Sequence, residues 1–182
     1  MEQRSNAGYK AKVMSTYVFA YGSNMCSGRF RDYGVSPERP GVAAVLSGYE
    51  LRFNKRSQDG SGKANIEPLT GMELWGVLYT VSDADLKKLD QGEVGYRRSS
   101  VTVRLADMTL VGAWVYVAVT PVTPDETPLL PYEWYKRFLV EGAREHGLPN
   151  DYVTLLEAVK AIHDADSERD RQKRALNCHG GA

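Results

Sequence analysis

Apolar and polar positions alternate along most of the first two thirds of the chain, which is the pattern of half-buried β-strands. The alternating runs are rich in aromatic and β-branched residues and end at Gly, Asn, Asp or Pro, which favour turns. A short polar connection at 106–109 joins two such runs and predicts an antiparallel hairpin. The runs predicted as strands are 17–21, 41–53 as one or two strands, 73–81, 96–105 and 110–119.

The spacing becomes helical after a Pro-rich stretch, because apolar residues then recur every three or four positions. Segments 132–146 and 151–162 are therefore predicted as helices. A short helix is also predicted for 82–89, with Ser82 at the N-cap and Asp85 at the capping-box position. Strands followed by helices near the C-terminal end predict an α+β fold with mainly antiparallel pairing.

The domain organisation follows from where the pattern begins and ends. Residues 1–15 are polar and unpatterned and are predicted to be a disordered leader. Residues 16–163 carry the predicted elements and no long linker, so they are expected to form one domain. Residues 164–182 are rich in charge and end in glycine, and they are predicted to be a frayed tail.

Composition narrows the classes of function. The 182 residues include 23 Lys and Arg against 23 Asp and Glu, and this balance argues against a protein that binds nucleic-acid phosphates. The sequence has no apolar run of about 18 residues and no secretory signal, so we expect no membrane partner and a cytoplasmic location. Two cysteines and three histidines without metal-ligand spacing predict no metal site.

The first candidate for chemistry is the turn Tyr21-Gly22-Ser23-Asn24, which follows a predicted strand. A helix is predicted from about 25 to 33, so the backbone N–H groups of the turn would face outward at a helix start. Such groups can hold a carboxylate or a developing oxyanion, and a glycine lets a substrate approach the backbone. A structural turn capped by Ser23 or Asn24 is the alternative interpretation.

The second candidate is Glu93, which lies in a glycine-flanked loop between a predicted helix and a predicted strand. A single carboxyl group that is partly removed from water has a raised pKa and can act as a general base near neutral pH. The alternative is a surface acid paired with Arg97 or Arg98. A hydrolase that uses Cys26 and His146 is a further hypothesis, whereas Ser23 lacks the GxSxG context of an esterase nucleophile.

These segments together resemble the γ-glutamylcyclotransferase (AIG2-like) family. The resemblance spans roughly Thr16 to Ile162 and rests on several motifs in a fixed order. The motifs are YGSN at 21–24 after Phe19 and Ala20, WGVLY at 75–79, LDQGE at 89–93, YRR at 96–98, Tyr116, and GLPNDY at 147–152.

The resemblance implies a small mixed, mainly antiparallel β-barrel with flanking helices. It also implies an enzyme that converts a small γ-glutamyl substrate to 5-oxoproline without a cofactor, as an acyltransferase or lyase within glutathione metabolism. Glu93 would be the general acid and base, and Tyr152 would reach the substrate from a C-terminal helix. The residues implied to form the substrate loop are Ala20, Tyr21, Gly22, Ser23 and Asn24.

One departure from the family pattern affects the rim of the site. Val94 follows Glu93, and only Gly95 separates it from Tyr96, so the loop is shorter than in the common family form. Substrate preference therefore stays open between γ-glutamyl amino acids, γ-glutamyl amines and other acylated metabolites. A non-catalytic barrel that binds a small molecule is the alternative from another class, and a homodimer is left open.

Overall fold

The structure is a computed structural model that describes residues 15–121 and 129–178 of the chain. Residues 1–14 of the predicted leader lie outside this described part, while Ser15 begins the first strand. Five strands in the described ranges close into a barrel in the order β1-β3-β2-β4-β5. The strands are β1 (Ser15–Ala20), β2 (Val42–Arg56), β3 (Gly62–Ser82), β4 (Tyr96–Arg104) and β5 (Leu110–Ala118).

The pairing is antiparallel except where β1 meets β5 and closes the barrel in parallel. The structure thus confirms the mainly antiparallel α+β barrel, and β4 and β5 form the predicted hairpin. β1 runs beside β3 as far as Ala20, where the chain leaves the barrel. Gly76 of β3 permits this close approach, since a Cβ there would lie 2.5 Å from the Ala20 carbonyl oxygen.

Five α-helices in the described ranges flank the barrel. They are α1 (Gly28–Asp32), α2 (Asp83–Gly92), α3 (Glu133–Glu145), α4 (Asn150–Ala158) and α5 (Ser167–Ala175). α3 packs its apolar face, including Phe138 and Leu139, into the core beside the barrel. Its Gly142 contacts the backbone at Met25 and Cys26, just before α1, because a Cβ at Gly142 would lie 2.4 Å from the backbone nitrogen of Cys26.

Of the two predicted helix starts, the one at Ser82 is confirmed and the one near residue 25 is wrong. Ser82 caps α2 as predicted, since its Oγ accepts a hydrogen bond from the backbone N–H of Asp85 at 3.1 Å. The single helix predicted for 25–33 is instead a 3₁₀ turn (Ser23–Met25) followed by α1. The chain is extended at Cys26, which interrupts the helix, and neither short helix has a side-chain cap.

The C-terminal segment differs from the frayed tail that the sequence predicted. Over 164–178 the chain carries α5, and Asp164 has no exposed surface. Cys178 is also fully buried and forms a disulfide with Cys26, 152 residues earlier. A charged helix is ordered here because its polar faces form ion pairs, such as Arg174 with Asp170, and both of its flanks are anchored.

Candidate active site

A cavity lies where β1 ends at the mouth of the barrel. β1 and the 3₁₀ turn supply one wall, and Glu93, immediately after α2, supplies another. The predicted site residues that line the cavity are Ala20, Tyr21, Gly22, Ser23, Asn24 and Glu93. The structure therefore brings together two segments that lie about seventy residues apart in the sequence.

A direct hydrogen bond joins the two predicted segments. The side-chain Nδ2 of Asn24 donates to Glu93 Oε1 at 2.6 Å. The function predicted for Asn24 as a helix cap is therefore wrong, because its side chain turns to the carboxyl group instead. Its Oδ1 is buried and has no hydrogen-bond partner among the described residues, so it is an available acceptor beside the acid.

Burial is the main influence on the pKa of Glu93. Removal from water raises the pKa of this carboxyl above its ordinary value, and hydrogen bonds from Asn24 and Tyr33 oppose the rise. The charges of Arg29 and Lys55 also act against it, and the net direction is upward. A carboxyl group in this condition can accept a proton and return it near neutral pH.

The turn beside Glu93 offers backbone donors. Its hydrogen bonds begin with the N–H of Met25, which donates to the carbonyl of Gly22 at 3.0 Å. The N–H groups of Gly22, Ser23 and Asn24 come before that first bond, at the open end of the turn. A side chain at Gly22 would be crowded, since its Cβ would lie 3.0 Å from the Cβ of Ala64.

Three tyrosines that the sequence interpretation did not place in the site line the cavity: Tyr96, Tyr116 and Tyr135. The hydroxyl of Tyr96 donates to the Ala64 carbonyl at 2.7 Å, and that of Tyr135 accepts from the Ala64 N–H at 3.1 Å. Burial raises the pKa of Tyr96 and of Tyr135, so both stay neutral. They come from β4 and α3, and only the barrel closure brings them together.

An adjoining cleft opens from the cavity towards solvent. The residues shared by both are Ser23, Glu93, Tyr96 and Tyr135. The cleft adds three basic side chains, those of Arg29, Lys55 and Lys63. We call this region the basic cleft.

Two other candidate residues lie elsewhere. Tyr152 is buried in α4 and is not among the residues that line the cavity or the basic cleft, so the structure does not bring it to Glu93. Cys26 is in the disulfide and cannot be a nucleophile. His146 bonds to the Tyr79 hydroxyl at 2.8 Å and to the Gly41 carbonyl at 3.1 Å, so the Cys–His hydrolase hypothesis is wrong.

The described residues contain neither a cluster of metal-binding side chains nor a helix that could span a membrane. No group of three or more His, Cys, Asp or Glu side chains in these ranges is arranged to hold a metal ion. None of the helices described is both long and apolar enough to cross a membrane.

Comparison with known proteins gives consistent matches. The model of the AIG2-like family matches residues 73–156. Human γ-glutamylcyclotransferase is 30% identical over 155 residues, which cover 80% of this chain and 79% of that protein. The mouse enzyme of the same name is 29% identical and covers 84% of both chains.

Solved structures agree with the sequence matches. A structure named γ-glutamyl cyclotransferase has a TM-score of 0.75 at 24% identity and covers 88% of this chain and 99% of its own. A structure of a human protein described as uncharacterized has a TM-score of 0.73 at 26% identity, with coverage of 88% and 98%. From the cavity, its half-buried acid and these relatives, we conclude that the chain belongs to the γ-glutamylcyclotransferase family.

Proposed function

We propose that this protein is a γ-glutamylcyclotransferase that releases an amino acid or amine from a γ-glutamyl substrate and forms 5-oxoproline. The observation that carries the proposal is the half-buried carboxyl of Glu93, which accepts a hydrogen bond from Asn24 beside the open turn of Gly22 and Ser23. The family relationship supports the same reaction.

The reaction needs one group that moves a proton. The α-amine of the glutamyl part attacks its own γ-carbonyl carbon, so a C–N bond forms and a tetrahedral intermediate carries the negative charge on oxygen. Glu93 accepts the proton from the attacking nitrogen and donates it to the leaving nitrogen as the original amide bond breaks. The nucleophile is part of the substrate, so no covalent enzyme intermediate is required.

The turn would stabilise the charge that develops during the reaction. N–H groups of Gly22, Ser23 and Asn24 are donors of the kind that bind a carboxylate or an oxyanion. The Oδ1 of Asn24, which has no hydrogen-bond partner among the described residues, can accept a hydrogen bond from the neutral α-amine of the substrate. Loss of one oxyanion donor typically costs about 3–4 kcal/mol of transition-state stabilisation.

The test replaces Glu93 by glutamine and assays 5-oxoproline from a panel of γ-glutamyl dipeptides and γ-glutamyl amines. Glutamine keeps the size of the side chain but cannot take a proton, so we expect kcat to fall by about 10²–10⁴-fold. Glu168→Gln, on the exposed face of α5, is the matched control and should keep the normal rate. Near-normal turnover in Glu93→Gln would remove this residue from the mechanism, and a wild-type protein inactive on the whole panel would favour the binding barrel.

A further inference from the structure

The basic cleft is where the leaving group has to lie. Glu93 lines both the cavity and the cleft, so a glutamyl part held in the cavity directs the rest of the substrate past Glu93 into the cleft. The charges of this cleft therefore act on the part of the substrate that the enzyme releases.

Two of the three basic side chains in the cleft already have acidic partners. Arg29 forms an ion pair with Asp32. The Nζ atom of Lys63 lies 3.0 Å from Asp59 Oδ2 and donates to the hydroxyl of Ser61 at 2.8 Å. These carboxylates offset the charge of both cations, although the Nε of Arg29 has no hydrogen-bond partner among the described residues.

The third cation, Lys55, has no such partner among residues 15–121 and 129–178. In those ranges its ammonium lies over the Tyr96 ring, 5.2 Å from the ring centre, and forms no ion pair with a carboxylate. It is close enough to act electrostatically on Glu93 and on Lys63. Lys55 is thus the one cation in the described part of the cleft that is free to receive an anionic group.

The short loop after Glu93 explains how Lys55 reaches this place. Gly95 has φ +81, and a Cβ there would lie 3.0 Å from Lys55 Cε, so a side chain at this position would crowd the lysine stem. Tyr96 follows directly and places its ring beneath the ammonium group. The departure from the common family pattern therefore sets the rim of the site rather than its chemistry.

We propose that Lys55 determines leaving-group specificity by binding a carboxylate of the released amino acid. The inference rests on the proposed function, because it concerns the leaving group of that reaction. A charge-assisted hydrogen bond from an ammonium group to a carboxylate is stronger than one to a neutral amide of the same shape. The preferred substrates are γ-glutamyl amino acids with a free α-carboxylate, and γ-glutamyl amines and carboxamides are poor substrates.

The experiment compares γ-glutamyl-alanine with γ-glutamyl-alaninamide, which differ only in the charge of the leaving group. We expect kcat/KM of the wild type to be about tenfold higher for the acid. Lys55→Gln removes the cation with little change in shape, and it should reduce the acid-to-amide ratio to about one. Lys55→Arg should retain the preference, and Lys87→Gln, exposed on α2, is the matched control.

Equal rates on the acid and the amide in the wild type would overturn the proposal, as would a preference that survives in Lys55→Gln. Calorimetric binding of both compounds to Glu93→Gln separates this result from failure of the proposed function. If no γ-glutamyl compound gives 5-oxoproline, tighter binding of the acid that Lys55→Gln abolishes still supports recognition by Lys55. Equal binding of acid and amide refutes that recognition whatever the reaction.

Discussion

Two carboxyl groups, that of the half-buried Glu93 at the mouth of the barrel and that of the fully buried Asp164 before α5, have opposite surroundings. Asp164 accepts from the Nε of Arg169 at 2.7 Å and from the indole N–H of Trp134 at 2.8 Å. These contacts, led by Arg169, lower the pKa of Asp164 to about 2. Glu93 accepts a hydrogen bond from the amide of Asn24, the phenol of Tyr33 also favours its ionised form, and burial raises its pKa.

The comparison shows that the partner decides what a buried acid can do. A carboxylate hydrogen-bonded to a guanidinium stays ionised and stabilises the fold, whereas one held by neutral donors can exchange its proton at working pH. The two carboxyl groups make the free energy of unfolding depend on pH with opposite signs. Asp164 stabilises the fold above about pH 4, and this stabilisation is lost as the pH falls towards 2. Ionisation of Glu93 lowers the free energy of unfolding as the pH rises above about 4.

The largest expected effect is that of Glu93→Gln, which should change activity without lowering stability. Glu93→Gln should lose about 10²–10⁴-fold in kcat while its melting temperature at pH 7 stays equal or rises, because a buried charge is removed. Thermal unfolding beside the 5-oxoproline assay measures both. A clear fall in melting temperature would show that Glu93 also supports the fold and would weaken the contrast.

Asp164→Asn should give the reverse result. It removes the carboxylate that accepts hydrogen bonds from Arg169 and Trp134, so we expect a loss of about 2–3 kcal/mol in the free energy of unfolding. Denaturant unfolding measures this loss, and kcat per folded molecule should remain normal. Asp166→Asn, which removes the longer and more exposed contact to Arg169 at 3.5 Å, is the control and should have a much smaller effect.

Removal of the disulfide tests whether the C-terminal segment stabilises the part of the fold next to the cavity. Cys178→Ser removes the link to Cys26, which lies two residues after Asn24, and should cost about 2–4 kcal/mol of stability. A reducing agent should lower the melting temperature of the wild type and leave that of the Cys26→Ser, Cys178→Ser double variant unchanged. If the reductant has no effect on the wild type, the link does not contribute to stability.

The two acids also show what the sequence could and could not predict. Glu93 could be proposed as a site residue because glycines flank it and motifs surround it. The N-cap at Ser82 could be predicted because capping is a local interaction. The burial of Asp164 could not be predicted, because it depends on Trp134, thirty residues earlier. The same reason applies to Tyr135 of the cavity wall, since nothing local in α3 marks it as a residue that the fold brings to the site. Two cysteines 152 residues apart carry no spacing signal, so their pairing needed the fold.

The smallest expected effect concerns the neutral donors that keep Glu93 able to exchange a proton. The Tyr33 hydroxyl stabilises the ionised form of Glu93, so Tyr33→Phe should raise the pKa of this carboxyl further. Glu93 acts as a base when ionised, so the rising limb of the pH profile of kcat/KM should also move to higher pH. The profile is measured from pH 4 to 9 with γ-glutamyl-alanine.

Phenylalanine is a suitable replacement because it keeps the packing of the ring. A Cβ at Gly92 would lie 2.2 Å from Tyr33 Cδ1, so the ring fits closely against the residue before Glu93. Tyr49→Phe, in β2 outside the cavity and the basic cleft, is the control and should leave the profile in place. A Tyr33→Phe variant with a higher KM but an unchanged pH profile of kcat/KM would mean that the phenol contacts the substrate. The pKa of Glu93 would then depend on burial and on Asn24, without a contribution from Tyr33.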